Sequence, residues 1–159
     1  MAEGRGPAPL LDDAGVARIL REARRIAIVG ASSRSWRPSN DVMRFLLEQG
    51  YDCVPVNPAE ESVHGVAAFP TVAAATAVGG RFDIVDVFRR SELCVPHARD
   101  AVEAGAGCLW LQLGVVSWEA ATIASRAGLA VVMDRCTAIE LRRLRVTAPG
   151  DGPTKPLSG

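Results

Sequence analysis

Five short apolar runs, separated by stretches of helical period, constrain this chain more than any other feature. They lie at 26–29, 53–56, 83–88, 108–111 and 130–133. Their apolar residues are nearly continuous rather than alternating, as in strands covered on both faces. Between them Leu11, Val16, Ile19 and Leu20 fall on one side of a helix. Pro38 and Ser39 open a second that carries Val42, Phe45 and Leu46 and stops at Gly50. Further helices are expected over 91–104, 117–127 and 137–144, with Ser91 and Glu92, then Ser117 and Glu119, as entry residues. Strand-helix alternation at this spacing implies right-handed crossovers and a doubly wound parallel α/β sheet. The stretch 60–80 reads as a short strand near Val66 followed by a small helix over 71–77. The Gly- and Pro-rich ends, 1–9 and 147–159, are expected to be flexible, leaving one domain over 10–146.

Composition narrows the function. The 18 basic residues are offset by 18 acidic ones among 159, so the chain lacks the broad positive surface that sequence-independent nucleic-acid binding requires. An anionic ligand has to be held by local charge. No apolar run approaches the length of a membrane span, and the start carries no apolar leader, so a cytoplasmic location is expected. Cys53, Cys94, Cys108 and Cys136 match neither paired zinc spacing nor a dense disulfide framework and read as free thiols.

In an open parallel sheet the ligand lies beyond the carboxyl ends of the strands, where the strand order reverses. Those ends are Gly30-Ala31-Ser32, Asn57-Pro58, Phe88-Arg89-Arg90, Gln112-Leu113-Gly114 and Asp134-Arg135-Cys136. Gly30 closes a buried strand, and the segment after it leads to a helix amino terminus, whose free N–H groups and dipole favour phosphate. A G-x-G-x-x-G fingerprint would need glycine at positions occupied by Ser32 and Ser35, and no G-x-x-x-x-G-K-[ST] loop is present. Asn57-Pro58 stands where an NAD enzyme carries an acid for the ribose hydroxyls. Arg34, Arg37, Arg89 and Arg90 crowd two of the loops, which favours a nucleotide with extra phosphate, CoA or NADP, over NAD.

The segments Ile28-Val29-Gly30-Ala31-Ser32, Arg37-Pro38-Ser39, Pro55-Val56-Asn57-Pro58, Asp83 through Glu92, Leu109 through Val115 and Met133-Asp134-Arg135-Cys136 resemble the single-domain CoA-binding protein family. These are stand-alone relatives of the CoA-binding domain in the succinyl-CoA synthetase alpha subunit. The resemblance covers about three quarters of the chain. It implies a Rossmann-like domain in which Gly30, Ala31 and Ser32, with Arg37, Pro38 and Ser39, hold the diphosphate. Asn57 and Pro58 would border the adenosine, Phe88, Arg89 and Arg90 would line the crevice, and Gln112, Leu113 and Gly114 would flank the pantetheine path. The synthetases often carry a Lys after the second strand, where this chain has Ala59, Glu60 and Glu61. The 3′-phosphate contact is then expected from Arg34 or Arg37.

Neither His64 nor His97 falls at a strand end, and no nucleophile-base pair or metal cluster is visible. The expectation is therefore binding of CoA or an acyl-CoA without turnover, as carrier, sensor or partner module, with a homodimer or an acyl-CoA enzyme as protein partner. The alternative is a small NADP-dependent oxidoreductase or epimerase-like enzyme. Cys136, beside Arg135 at a helix start, reads either as a thiol of lowered pKa able to form a mixed disulfide with CoA, or as a half-buried packing residue. Trp36 either stacks on adenine or covers the helix start, and Trp110 reads as core.

Overall fold

The structure, a computed structural model, describes residues 8–149. Helix α1 (Asp13–Glu22) leads to β1 (Arg25–Val29), and α2 (Pro38–Glu48) to β2 (Asp52–Val56). The hairpin strands β3 (Ser62–Val63) and β4 (Val66–Ala67) precede α3 (Val72–Gly79). The alternation then resumes with β5 (Ile84–Val87), α4 (Cys94–Glu103) and β6 (Cys108–Leu111). It closes with α5 (Trp118–Arg126), β7 (Ala130–Val132) and α6 (Thr137–Arg143).

Five strands pair in parallel in the order β2-β1-β5-β6-β7. The order reverses between β1 and β5, as the doubly wound reading requires. Alternate residues of each strand face opposite layers. Ile26, Ile28, Ile84 and Trp110 pack with Val16 and Leu20 of α1, Met43 and Leu46 of α2, and Leu141 of α6. Ala27, Val29, Val85 and Leu109 pack with alanines of α3, α4 and α5. Ala120, Ala121 and Ala124 are fully buried within the single chain, so these small residues serve close packing inside the fold.

Three local departures from the sequence reading have physical causes. The helix expected from residue 91 begins as a 3-10 turn, Ser91–Leu93, and becomes α-helical at Cys94. Pro96 has no N–H to offer the Glu92 carbonyl, so an α-helical register cannot start at Ser91. Ser91 therefore caps nothing: its Oγ accepts from the Val116 N–H at 2.9 Å, whereas Ser117 does cap α5 through the Ala120 N–H. The strand expected near Val66 is half of a hairpin turning at His64-Gly65, both with positive φ, the geometry of a type I′ turn. Beyond it, Phe69 forms a bridge to Val56 and hydrogen-bonds across the edge of β2. The expected flexible ends, 1–9 and 147–159, fall mostly outside the described residues. At their inner edges Ala8 and Ala148 are partly buried against the two core layers.

The turn after β1 depends on Gly30. Its φ is +86°, and an added Cβ would lie 2.8 Å from Arg89 Cδ and 3.0 Å from the Phe88 carbonyl oxygen. Gly30→Ala is expected to lower the free energy of unfolding by about 1–3 kcal/mol. Gly50→Ala, at φ +103° with nothing near the new methyl, is expected to lose less. Urea denaturation of both variants checks this, and equal losses would show that the Phe88 and Arg89 contacts relax.

Candidate functional site

The carboxyl ends of the strands enclose an open cleft of about 970 Å³, at the upper end of the size range for small-molecule and cofactor sites. The loop after β1 and the start of α2 contribute Gly30, Ser32, Arg34, Arg37, Pro38, Ser39 and Val42. The segment after β2 adds Asn57, Ala59 and Glu60. Phe88, Arg89 and Arg90 follow β5, Gln112 through Val115 follow β6, and Cys136 and Ile139 come from the start of α6. Of the residues expected to hold the cofactor by the resemblance, with Arg34 and Cys136, all but Ala31 and Pro58 line this cleft. Ala31 is fully buried in the core beneath it, and Pro58 is exposed beside it. Val42, Ala59, Glu60, Val115 and Ile139 were missed. Val42 and Ile139 carry ordinary helix-face patterns, and only Glu60 had a signal, its acid where a basic residue was expected.

Beyond the Gly30 turn, side chains shape the loop after β1. Buried Ser39 Oγ accepts from the Ser32 N–H at 3.1 Å, and Asn40 Nδ2 donates to the Ser32 carbonyl at 2.9 Å. Asn57 Nδ2 donates to the Ala31 carbonyl at 2.8 Å while its Oδ1 accepts from the Ala59 N–H, tying the loops after β1 and β2 together. Helix α2 starts at Pro38 with no side-chain hydrogen bond at its cap residue, Arg37. Glu60 Oε2 accepts from the Ser33 N–H at 2.9 Å and its hydroxyl at 3.1 Å. A carboxylate thus already sits on the loop that phosphate would use, so the turn accepts an anion. Around it the cleft gathers Arg34, Arg37, Arg89 and Arg90. The Arg90–Glu92 pair at 3.6 Å is exposed and holds Arg90 only weakly.

The far wall is built on buried polar groups. Asp86, fully buried on β5, accepts from Gln112 Nε2 at 2.6 Å and from Thr137 Oγ1 at 3.1 Å. Burial pushes its carboxyl up to about 7, against the two hydrogen bonds, which lower it. Asp134, at φ 61°, accepts from the Gly114 N–H at 2.7 Å and fixes the loop after β6 to the one after β7.

Of the two readings of Cys136, the structure favours the half-buried packing residue over the thiol of lowered pKa. Burial raises this thiol, and the N–H groups of Ile139 and Ala138 offset only part of that rise. Arg135 is turned away, toward Glu140 at 2.8 Å and Asp13 at 3.2 Å. Cys136 therefore presents a neutral thiol to the cleft. Cys53, Cys94 and Cys108 are buried. His64 Nε2 lies 2.8 Å from the Asn40 carbonyl oxygen, and His97 is half-buried on α4; neither lines the cleft. Trp36 is 73% exposed with the Arg34 guanidinium 5.6 Å from its ring, and it stands outside the cleft. Trp110 is fully buried and its Nε1 donates to the Arg135 carbonyl. Among the described residues no group of side chains could hold a metal ion, and no helix is long and apolar enough to cross a membrane.

Comparison with known proteins places this geometry in company. The family model described as CoA binding domain matches residues 24–142. An uncharacterized protein of Bacillus subtilis, YneT, is 38% identical over 123 residues, spanning 77% of this chain and 89% of its own length. A solved hypothetical protein from Pyrococcus horikoshii superposes with a TM-score of 0.81 at 36% identity, covering 91% of this chain and 99% of its own. The dinucleotide-forming acetyl-coenzyme A synthetase 1 of Ca. Korarchaeum cryptofilum shares the fold, with a TM-score of 0.61 at 22% identity. That match covers 73% of this chain but only 27% of the synthetase.

The buried acid carries a prediction about stability. Asp86 is held above its ordinary 3.8 in the folded state, so between about pH 4 and 7 the folded chain keeps a proton that the unfolded chain has released. Its contribution is complete at low pH and is lost as pH rises to about 7. Asp86→Asn is expected to remove that loss, so the variant gains on the wild type with rising pH across this window and no further above it. Urea unfolding of both proteins at several pH values measures the difference.

Proposed function

The chain belongs to the CoA binding domain family, and from that premise we propose that it binds coenzyme A, free or acylated, in the cleft at the strand carboxyl ends. The observation that carries this reading is the Glu60 carboxylate on the Ser33 N–H and hydroxyl, in a cleft that gathers four arginines. The loop is built for an anion, and an incoming phosphate takes the place of Glu60. Ser32, Ser33 and Arg34, with the open amino end of α2 and Arg37, hold the diphosphate. Asn57, Pro58 and Ala59 border the adenosine, Phe88, Arg89 and Arg90 cover the cofactor, and Gln112, Leu113 and Gly114 flank the pantetheine arm beside Cys136. The chain acts in the cytoplasm as a carrier, sensor or partner module for an acyl-CoA enzyme, and its own residues hold and orient the ligand without turning it over.

A thermal-shift series with CoA, dephospho-CoA, NADP and NAD tests the ligand, since a ligand that binds only the native state raises its melting temperature. CoA is expected to stabilise most and NAD least. Stabilisation by NADP without CoA would transfer the site to a dinucleotide and favour a small oxidoreductase or epimerase-like enzyme. By calorimetry Arg37→Ala is expected to weaken CoA binding about tenfold or more, the scale of a charge-assisted hydrogen bond to phosphate. Arg126→Ala, on the last turn of α5 away from the cleft, is expected to leave it unchanged. Glu60→Gln, which removes the competing charge, is expected to tighten it.

A further inference from the structure

Asp86, Gln112 and Thr137 form a closed set of hydrogen bonds beneath the cleft, and with Asp86 ionised the set permits one arrangement of hydrogens. A carboxylate only accepts. The Thr137 hydroxyl spends its hydrogen on Asp86 Oδ2, so its oxygen accepts from Gln112 Nε2 at 3.1 Å, and the same nitrogen donates to Asp86 Oδ1. Both amide hydrogens of Gln112 are then committed inward, which leaves its carbonyl oxygen, Oε1, for the cleft. Gln112 is 4% exposed and forms part of the cleft wall, and no described residue donates to Oε1. A side chain more than nine-tenths buried thus aims one unpartnered acceptor at the ligand space.

We propose that Gln112 is a specificity-determining residue whose outward carbonyl selects a ligand bringing a hydrogen-bond donor to this wall and disfavours one bringing a carbonyl, with Asp86 and Thr137 as positioning residues. On the CoA reading, on which the ligand assignment rests, and with the thiol end of the pantetheine arm at this wall, this separates CoA with its thiol free from its acyl thioesters. The thiol carries a hydrogen. The thioester has none, and its carbonyl turns lone pairs toward those of Oε1. The β6 end lies two strands, about 10 Å, from the anion-accepting loop after β1. The wall therefore meets a part of the ligand remote from its phosphates.

The polarity depends on the charge of Asp86. When the acid takes a proton it becomes a donor, and the Gln112 amide is free to turn its nitrogen outward. Strands β1 and β6 place Ile28 and Trp110 beside Asp86 in register. The titratable groups facing it are thiols: Cys53 on β2, Cys108 on β6 and Cys136 at the start of α6. Burial raises all three, so they stay neutral, and Asp86 alone changes charge near neutrality.

Two measurements test the proposal. In the ligand-free full chain, the protection of the Gln112 side-chain hydrogens, taken by NMR exchange relative to a free glutamine amide at the same pH, is expected to be high at about pH 8.5 and to fall as Asp86 is protonated. Asp86→Asn, which no longer forces one polarity, is expected to show low protection throughout, whereas Thr137→Ser, which keeps the hydroxyl, is expected to follow the wild type. By calorimetry at the same pH, CoA is expected to bind roughly three- to tenfold tighter than acetyl-CoA, the scale of one hydrogen bond. That ratio is expected to collapse in Asp86→Asn and to persist in Thr137→Ser. Equal affinities in the wild type, a preference that survives in Asp86→Asn, or protection that ignores both pH and the substitution would overturn the proposal. If neither ligand binds, the CoA reading fails and the exchange profile alone decides: protection upholds the outward acceptor, and its absence refutes it.

Discussion

Strand β1 is the pivot of the molecule, because it hydrogen-bonds to β2 on one side and to β5 on the other while the chain order runs away from it in both directions. A strand paired on both edges and covered on both faces has no polar group to spare, so the chain leaving it must turn sharply into solvent. Gly30 makes that turn at a backbone angle closed to other residues without strain, pressed between the Phe88 carbonyl and the Arg89 stem. The loop after β1 is thereby set against the loop after β5, and the cleft opens where their crossovers part.

The electrostatics follow from that arrangement. A chain of zero net charge concentrates four guanidiniums on the loops after β1 and β5, with the Glu60 carboxylate on Ser33 and Glu92 3.6 Å from Arg90. On the proposed reading a neutral protein holds its anionic ligand through a few charges at short range rather than through a surface field.

Much of this was legible in the sequence, for identifiable reasons. The apolar runs gave strands because buried parallel strands have no alternation to blur, and the site loops followed from the rule that ligands sit at strand carboxyl ends. The parts that escaped depend on pairing across the fold. His64-Gly65 lacks the usual hairpin-turn dipeptide, so β3 was invisible. Ser91 has the residue type of a cap, but its hydroxyl is taken by the Val116 N–H, 25 residues away. Arg135 beside Cys136 suggested an acidified thiol, yet its guanidinium is drawn off by Asp13 and Glu140, partners from two other turns. Asp86 is an acid inside the apolar run 83–88. Its partners Gln112 and Thr137 lie 26 and 51 residues away, beyond the reach of any local pattern.

The cluster that captures Arg135 also joins the two ends of the fold. Burial alone would raise the Glu140 carboxyl, but the guanidiniums of Arg143 and Arg135 outweigh it and hold the acid ionised, while Arg143 reaches on to Asp13 at 2.8 Å. Asp13 and Arg143 are 130 residues apart. A contact of that span closes only after the intervening chain has assembled, so it belongs to the late steps of folding and is weak in the transition state. Interactions of that kind leave the rate of folding nearly untouched and act on the rate of coming apart. The clasp between first and last helices, exposed as it is, thus adds modestly to how long a folded molecule lasts rather than to how readily it forms.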